Sequence, residues 1–212
     1  FYEKYYPPNN AILVVAGDVN KEEVRALAGE TYGKVARRAD PPPRMRPREP
    51  VQVAARRVAV ADARVRQPSV SRVYLAPSYR TAEGDEAYAL DLLSVVFGGG
   101  PTSRLYRALV VEKGIAAGAG SWYGGSSLDD SRFVIYGSPR PGHTLAEIEA
   151  ALDAEMQRLI DGGVNTDELE RAKTRLIADT VYDLDSQSSL ARTFGSALTT
   201  GMGVRDVIDW PE

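Results

Sequence analysis

With 212 residues, 43% of them hydrophobic and 26% charged, the chain has the composition of a globular protein able to bury a real core. A net charge of -3 argues against a dedicated nucleic-acid surface, and no apolar run approaches the roughly 20 residues that span a bilayer. Cysteine is absent and histidine occurs once, at His143, so disulfides and thiolate metal sites are excluded and a self-contained zinc site of His and Cys ligands is not expected.

The opening Phe1-Tyr-Glu-Lys-Tyr-Tyr-Pro-Pro-Asn-Asn carries neither an initiator methionine nor a signal-peptide pattern. Its aromatic residues read as the end of a helix that packs on something upstream. Ala11–Gly17 is a short apolar run bounded by Asn-Asn and Gly-Asp, the pattern of a buried strand. Lys21–Val35 follows as an amphipathic helix, with Val24, Leu27, Ala28 and Tyr32 near helical spacing. One strand and one helix bury each other poorly, so residues 1–36 read as the tail of a larger domain. Residues 37–50 hold five prolines and five arginines, and proline at that density denies the segment both helix and ladder. The expectation is an extended linker lying on an acidic surface; a nucleic-acid arm would need interleaved aromatic residues.

Val51–Val60 and Ser69–Ala76 carry β-type residues, and Asp62-Ala-Arg between them predicts a turn into an antiparallel pair. Thr81–Phe97 reads as a helix with Ala87, Leu90, Leu93, Val96 and Phe97 inward. Gly98, Gly99 and Gly100 then break the chain, and a second helix is expected over Thr102–Lys113, capped by Thr102 or Ser103. This glycine run lacks the strand-to-helix context and the Gly-Lys-Ser/Thr ending of a phosphate cradle, so it reads as a helix–helix joint. Ala117–Tyr123 and Arg132–Gly137 read as strands joined by a polar loop, Gly124–Ser131. Thr144–Ile160 has a stripe of Leu145, Ile148, Leu152, Met156 and Leu159. Asn165 or Thr166 caps the next helix, with Leu169, Ala172, Leu176, Ile177 and Val181 on one side. A last helical run extends to Leu198. A few antiparallel strands covered by helices make an α+β layered fold.

Three stretches together resemble the inverted-zincin metallopeptidases of the pitrilysin/insulinase type. Phe1-Tyr-Glu-Lys-Tyr-Tyr-Pro-Pro-Asn-Asn-Ala-Ile-Leu-Val-Val-Ala-Gly-Asp-Val is similar to the stretch near the end of that family's first domain. Phe97-Gly-Gly-Gly-Pro-Thr-Ser-Arg-Leu-Tyr resembles the glycine joint of its second domain, and Gly163-Val-Asn-Thr-Asp-Glu-Leu-Glu-Arg-Ala-Lys that domain's capped late helix. The resemblance implies three parts: residues 1–36 as the end of a first domain, 37–50 as a Pro/Arg-rich linker, and 51–212 as most of a second, noncatalytic domain. In family enzymes a His-x-x-Glu-His helix and a downstream glutamate hold zinc in the first domain, upstream of the Tyr-Tyr-Pro-Pro stretch. None of these ligands is present here, so the chain itself is expected to hold no metal or catalytic residue, with zinc in an upstream part of a longer parent.

The second half of family members often carries an arginine and, seven residues on, a tyrosine that contact substrate. Counting without gaps from the triple glycine puts Val110 and Ala117 at those places, and neither side chain can donate a hydrogen bond. The resemblance therefore implies a noncatalytic wall of a peptide-enclosing chamber, inactive alone. Its implied partners are the rest of the parent chain, a homologous subunit or domain supplying the Arg/Tyr pair, and a peptide substrate. The competing reading is a metal-free assembly protein of the same fold, like the core proteins of respiratory complex III. The compartment, bacterial cytoplasm or periplasm, is not legible. Among single residues, Arg104 reads as a helix-surface arginine, Tyr106 as core, Asp129 and Asp130 as solvated, and at most one of Trp122 and Tyr123 as facing the chamber.

Overall fold

The computed structural model describes residues 1–43, 45–47, 50 and 52–211. The chain opens with a single helical turn, α1 (Tyr2–Tyr5), and α2 (Lys21–Glu30), then reaches the first strand, β1 (Val70–Ala76). Helix α3 (Glu86–Gly98) leads through the glycine joint into a wide π-helical stretch, Tyr106–Glu112. Strands β2 (Ala116–Tyr123) and β3 (Ser131–Pro139) follow, and then four helices: α4 (Leu145–Gly162), α5 (Thr166–Asp183), α6 (Gln187–Thr200) and α7 (Val204–Ile208). The strands form one antiparallel sheet in the order β1-β3-β2. The α+β architecture expected from the sequence is the one observed.

The core sits between one face of this sheet and the helices. Phe133 and Ile135 of β3 and Ala119 of β2 pack with Phe97, Leu105, Leu109, Ile148 and Leu152, all buried. Gly137 lets α4 come down on β3: a Cβ there would sit 2.6 Å from Ile148 Cγ2. Helix α4 begins where the sequence says it should, because the Thr144 hydroxyl accepts from the Glu147 N–H while the Glu147 carboxylate accepts from the Thr144 N–H. Asn165 and Glu168 repeat the arrangement at α5. Glu168 has a second partner. Arg104 donates to both of its oxygens at 2.6 and 2.8 Å and to the Gly163 carbonyl at 2.7 Å, tying the helix after the glycine joint to the start of α5. Arg104 is thus a clamp between elements rather than a surface residue.

The joint has a tighter role than turning the chain. At its start, Gly98 abuts the outer edge of β2: a Cβ on Gly98 would lie 1.9 Å from the Ser121 backbone nitrogen and 2.4 Å from the Gly120 carbonyl carbon. Ser121 completes the contact by donating its hydroxyl to the Ser94 carbonyl of α3 at 2.9 Å. Gly100 takes a φ of +146°, a region that favours glycine.

Several expectations fail, each for a local reason. Ala11–Gly17 is not a strand. None of the three described strands pairs with it, and Ile12, Leu13 and Val15 remain about half exposed. The helix expected to reach Val35 stops at Glu30, where the Thr31 hydroxyl donates to the Leu27 carbonyl and a 3-10 turn, Tyr32–Lys34, takes over. The helix expected from Thr81 starts at Glu86, because Thr81 Oγ1 accepts from the Ser78 N–H and Gly84 adopts a left-handed φ of +54°. Ser103 does not cap the next helix as an acceptor; its hydroxyl donates to the Gly100 carbonyl, and the helix widens into i→i+5 bonding, as Lys113 N–H to Ala108 O shows. In the linker, Arg44, Arg48 and Glu49 lie outside the described residues, and Arg46 meets Asp129 at 2.8 Å.

The expected antiparallel pairing of Val51–Val60 with β1 is also absent. Val51 lies outside the described residues, and 52–60 makes no ladder with β1. The turn itself forms, Val65 N–H donating to Asp62 O at 3.0 Å. Among the described residues no non-glycine residue has a positive φ, so this is not one of the primed turns whose twist matches paired strands, and the two arms splay. Pro68, without an N–H, removes a donor next to the turn.

Beyond the sheet's end, the Tyr79 hydroxyl donates to Asp91 on α3 and accepts from Trp210 Nε1 at 2.7 Å, fastening the segment after α7 to the body. Burial raises the Asp91 carboxyl from its ordinary 3.8 to about 6, the Tyr79 bond offsetting only part of that cost.

Two predictions follow from this packing. Gly98→Ala should destabilise the fold by about 3 kcal/mol in urea unfolding, because the clash is with backbone on both sides. Gly118→Ala, which meets nothing within 4 Å, should leave stability nearly unchanged. Asp91 holds its proton more tightly folded than unfolded, so its contribution is fully present below pH 3.8 and is lost as pH rises through about 6. Asp91→Asn cannot ionise, so its stability relative to the parent should rise across that window, by up to about 3 kcal/mol. A difference that stays flat or falls would contradict the assignment.

Candidate functional site

The register fixes which side chains share each side of the sheet, since directly opposed residues of antiparallel strands point the same way. Tyr123, Phe133 and Tyr74 point toward the helices, as do Ser121, Ile135 and Arg72. The other side carries Ser71, Val73 and Leu75 of β1, Arg132, Val134 and Tyr136 of β3, and Gly118, Gly120 and Trp122 of β2. No helix among the described residues shields it. Val73, Leu75, Trp122 and Tyr136 are 60, 49, 42 and 40% exposed, and only the central Val134 is buried, among its neighbours.

Local sequence builds this surface. Gly120 has no Cβ, which would lie 2.7 Å from the Tyr136 hydroxyl, so the tyrosine can lie flat across β2. The Arg132 guanidinium sits over the Trp122 ring, 5.5 Å from its centroid, the geometry of a cation–π contact. The result is a broad apolar surface with one arginine at its margin. It can hold an extended apolar chain by contact, and its strand residues include no Asp, Glu or His that could act as a general base or metal ligand.

The expected residues fall as follows. Val110 lies in the π-helical stretch, 7% exposed in the core, and its carbonyl accepts from Arg140 Nη2 at 3.3 Å. Ala117 is exposed at an irregularity of β2, where the register shifts between Ala116 and Gly118. The structure does not bring their side chains to one site. Trp122 and Tyr123 point to opposite sides: Trp122 lies on the uncovered face, while the Tyr123 hydroxyl donates to the Pro77 carbonyl and burial pushes it up to about 12. Tyr106 packs partly buried against the core. His143 is a surface residue whose ring nitrogen lies 3.4 Å from Glu147 Oε1. Among the described residues no cluster of three or more His, Asp or Glu could hold a metal, so the residues present do not fit a zinc site. An open cleft of about 350 Å³, lined by Lys4, Tyr5, Pro42, Pro43, Met45 and Arg46, involves none of these positions.

What sequence reasoning missed is the combination of Val73, Leu75 and Tyr136 with Trp122. The alternation in Ser71-Arg72-Val73-Tyr74-Leu75 was a usable signal, because it leaves an apolar residue on each side of the strand.

Comparison with known proteins identifies the family. Residues 1–176 match the family model described as the peptidase M16 inactive domain. The chain is similar to the zinc protease PqqE of Helicobacter pylori, 31% identical over 201 residues that cover 93% of this chain and 44% of that protein. An uncharacterized zinc protease of Streptomyces coelicolor is 26% identical over 202 residues, covering 93% and 42%. The crystal structure of a protease from Helicobacter pylori superposes with a TM-score of 0.86 at 29% identity, over 99% of this chain and 49% of that one. The chain thus spans less than half the length of these relatives. No helix among the described residues is long and apolar enough to cross a membrane. With a family model matching residues 1–176, the chain belongs to the peptidase M16 inactive-domain family.

Proposed function

We propose that this chain forms a noncatalytic wall of a chamber in which a longer zinc-dependent peptidase encloses an extended peptide. The observation that carries the reading is the uncovered apolar face of Val73, Leu75, Trp122 and Tyr136, whose strand residues include no Asp, Glu or His. Zinc and the residues that use it would come from elsewhere in the longer protein. On this reading residues 1–36 end a first domain, 37–50 link, and 51–212 form the second. The exposed Ile12, Leu13, Val15, Leu27 and Tyr32 support this, as apolar surface that another domain would cover.

Val110 and Ala117 stand at the places of the family's substrate-contacting arginine and tyrosine. Val110 is spent on the core, and Ala117 has no donor. A homologous subunit or domain would therefore supply that pair, and the present surface would contribute shape and apolar contact.

The reading is tested in the longer protein. Trp122→Ala and Tyr136→Ala remove contact area from the wall, not chemistry. They should raise KM for peptide cleavage about tenfold with kcat and zinc content unchanged, the pattern of lost uniform binding. Unchanged KM, or a loss of bound zinc, would overturn the assignment of this face as a wall.

A further inference from the structure

The uncovered side of the sheet is ordered in rows. Opposed residues set Val73, Val134 and Trp122 in one row. Ser71, Tyr136 and Gly120 form the next row toward one end of the strands, and Leu75 with Arg132 the next toward the other. Arg132 is the only charged side chain that the three strands place on this side.

Arg132 is held in position and left without a counter-charge. Gly124, just past β2, makes room for the indole: a Cβ there would lie 3.3 Å from Trp122 Cζ3. The Arg132 guanidinium sits over that ring, 5.5 Å from its centroid, with Leu75 opposite on β1. A cation–π contact engages the charge but gives the N–H groups no oxygen acceptor. Among the described residues Arg132 enters no ion pair, and its guanidinium makes no hydrogen bond. The nearby Asp129 does not serve it, being taken by Arg46 at 2.8 Å. An arginine already fixed against a ring costs a binding carboxylate less ordering than a free one.

We propose that this face selects extended peptides in which an acidic side chain stands two residues from a large apolar one. The carboxylate meets Arg132, and the apolar side chain meets the row of Val73, Val134 and Trp122. The spacing comes from strand geometry. Residues i and i+2 of an extended chain point the same way, about 6.6 Å apart, and Arg132 and Val134 stand in that same relation on β3. A peptide lying along β3 therefore matches both rows at once. The planar guanidinium can donate two parallel N–H bonds to one carboxylate, which a glutamine amide does not reproduce. A basic residue at that place would meet like charge. The inference rests on the reading of this face as a peptide-holding wall, and names what the wall prefers.

The test is binding of short labelled peptides to the chain, followed by fluorescence anisotropy. All are capped at both ends, so that side chains supply the only carboxylates. One carries Glu-Ala-Leu, the second Gln-Ala-Leu, and the third Glu-Leu with no residue between. The first should bind about tenfold more tightly than either of the others. Arg132→Gln should bring the first two to one affinity, and Arg132→Lys should keep part of their difference. Trp122→Ala should weaken all three. Equal affinities for the first two peptides, or a preference that survives Arg132→Gln, would overturn the selection while Trp122→Ala still reports the wall. Equal affinities for the first and third would overturn the spacing. Absence of binding, or binding insensitive to Trp122→Ala, would overturn the wall itself and this inference with it.

Discussion

The arrangement depends on one close approach, that of the α3 C-terminus to the edge of β2. Backbone meets backbone where Gly98 faces Gly120 and Ser121, and there is no room for a single added carbon. From that contact the chain turns through Gly100 and enters the helix that carries Leu105 and Leu109 into the core. Arg104 then reaches back to Glu168, so the joint also fixes where α5 begins. Fixing one helix end against one strand therefore sets the position of two more helices and closes one edge of the sheet.

The consequence is a sheet with one covered side, one blocked edge, one bare side and one open edge. The covered side holds the stability. The bare side, with Trp122, Tyr136, Val73 and Leu75, costs the free chain apolar exposure of a kind that ordinarily marks a contact surface. Its strand residues include no Asp, Glu or His. Gly120 of β2 supplies the flatness that lets Tyr136 lie down.

Much of this was legible in the residues. The capping pairs Thr144/Glu147 and Asn165/Glu168 announce α4 and α5, apolar or small-residue runs mark the three strands (and two more stretches that form none), and the triple glycine announces the joint. Helix starts governed by side chain–backbone competition were not legible: Ser78 and Thr81 divert the chain from helix until Glu86. The unpaired state of residues 52–60 was hidden for a different reason, because Asp62-Ala-Arg specifies a turn but not its hand. Nor could composition show that Arg104 is a clamp, since its partner Glu168 lies 64 residues away in sequence. The bare side needed the register of all three strands before Trp122, Val73 and Tyr136 could be seen as one surface.

The account's central claim is that this chain takes part in peptide hydrolysis without holding the metal. The most direct test is the zinc content and cleavage activity of the isolated chain beside those of a longer protein that includes the upstream sequence, each with and without chelator. The account predicts no zinc and no cleavage for the isolated chain, and chelator-sensitive cleavage for the longer protein. Zinc-dependent cleavage by the isolated chain, or a longer protein that binds no zinc, would contradict it.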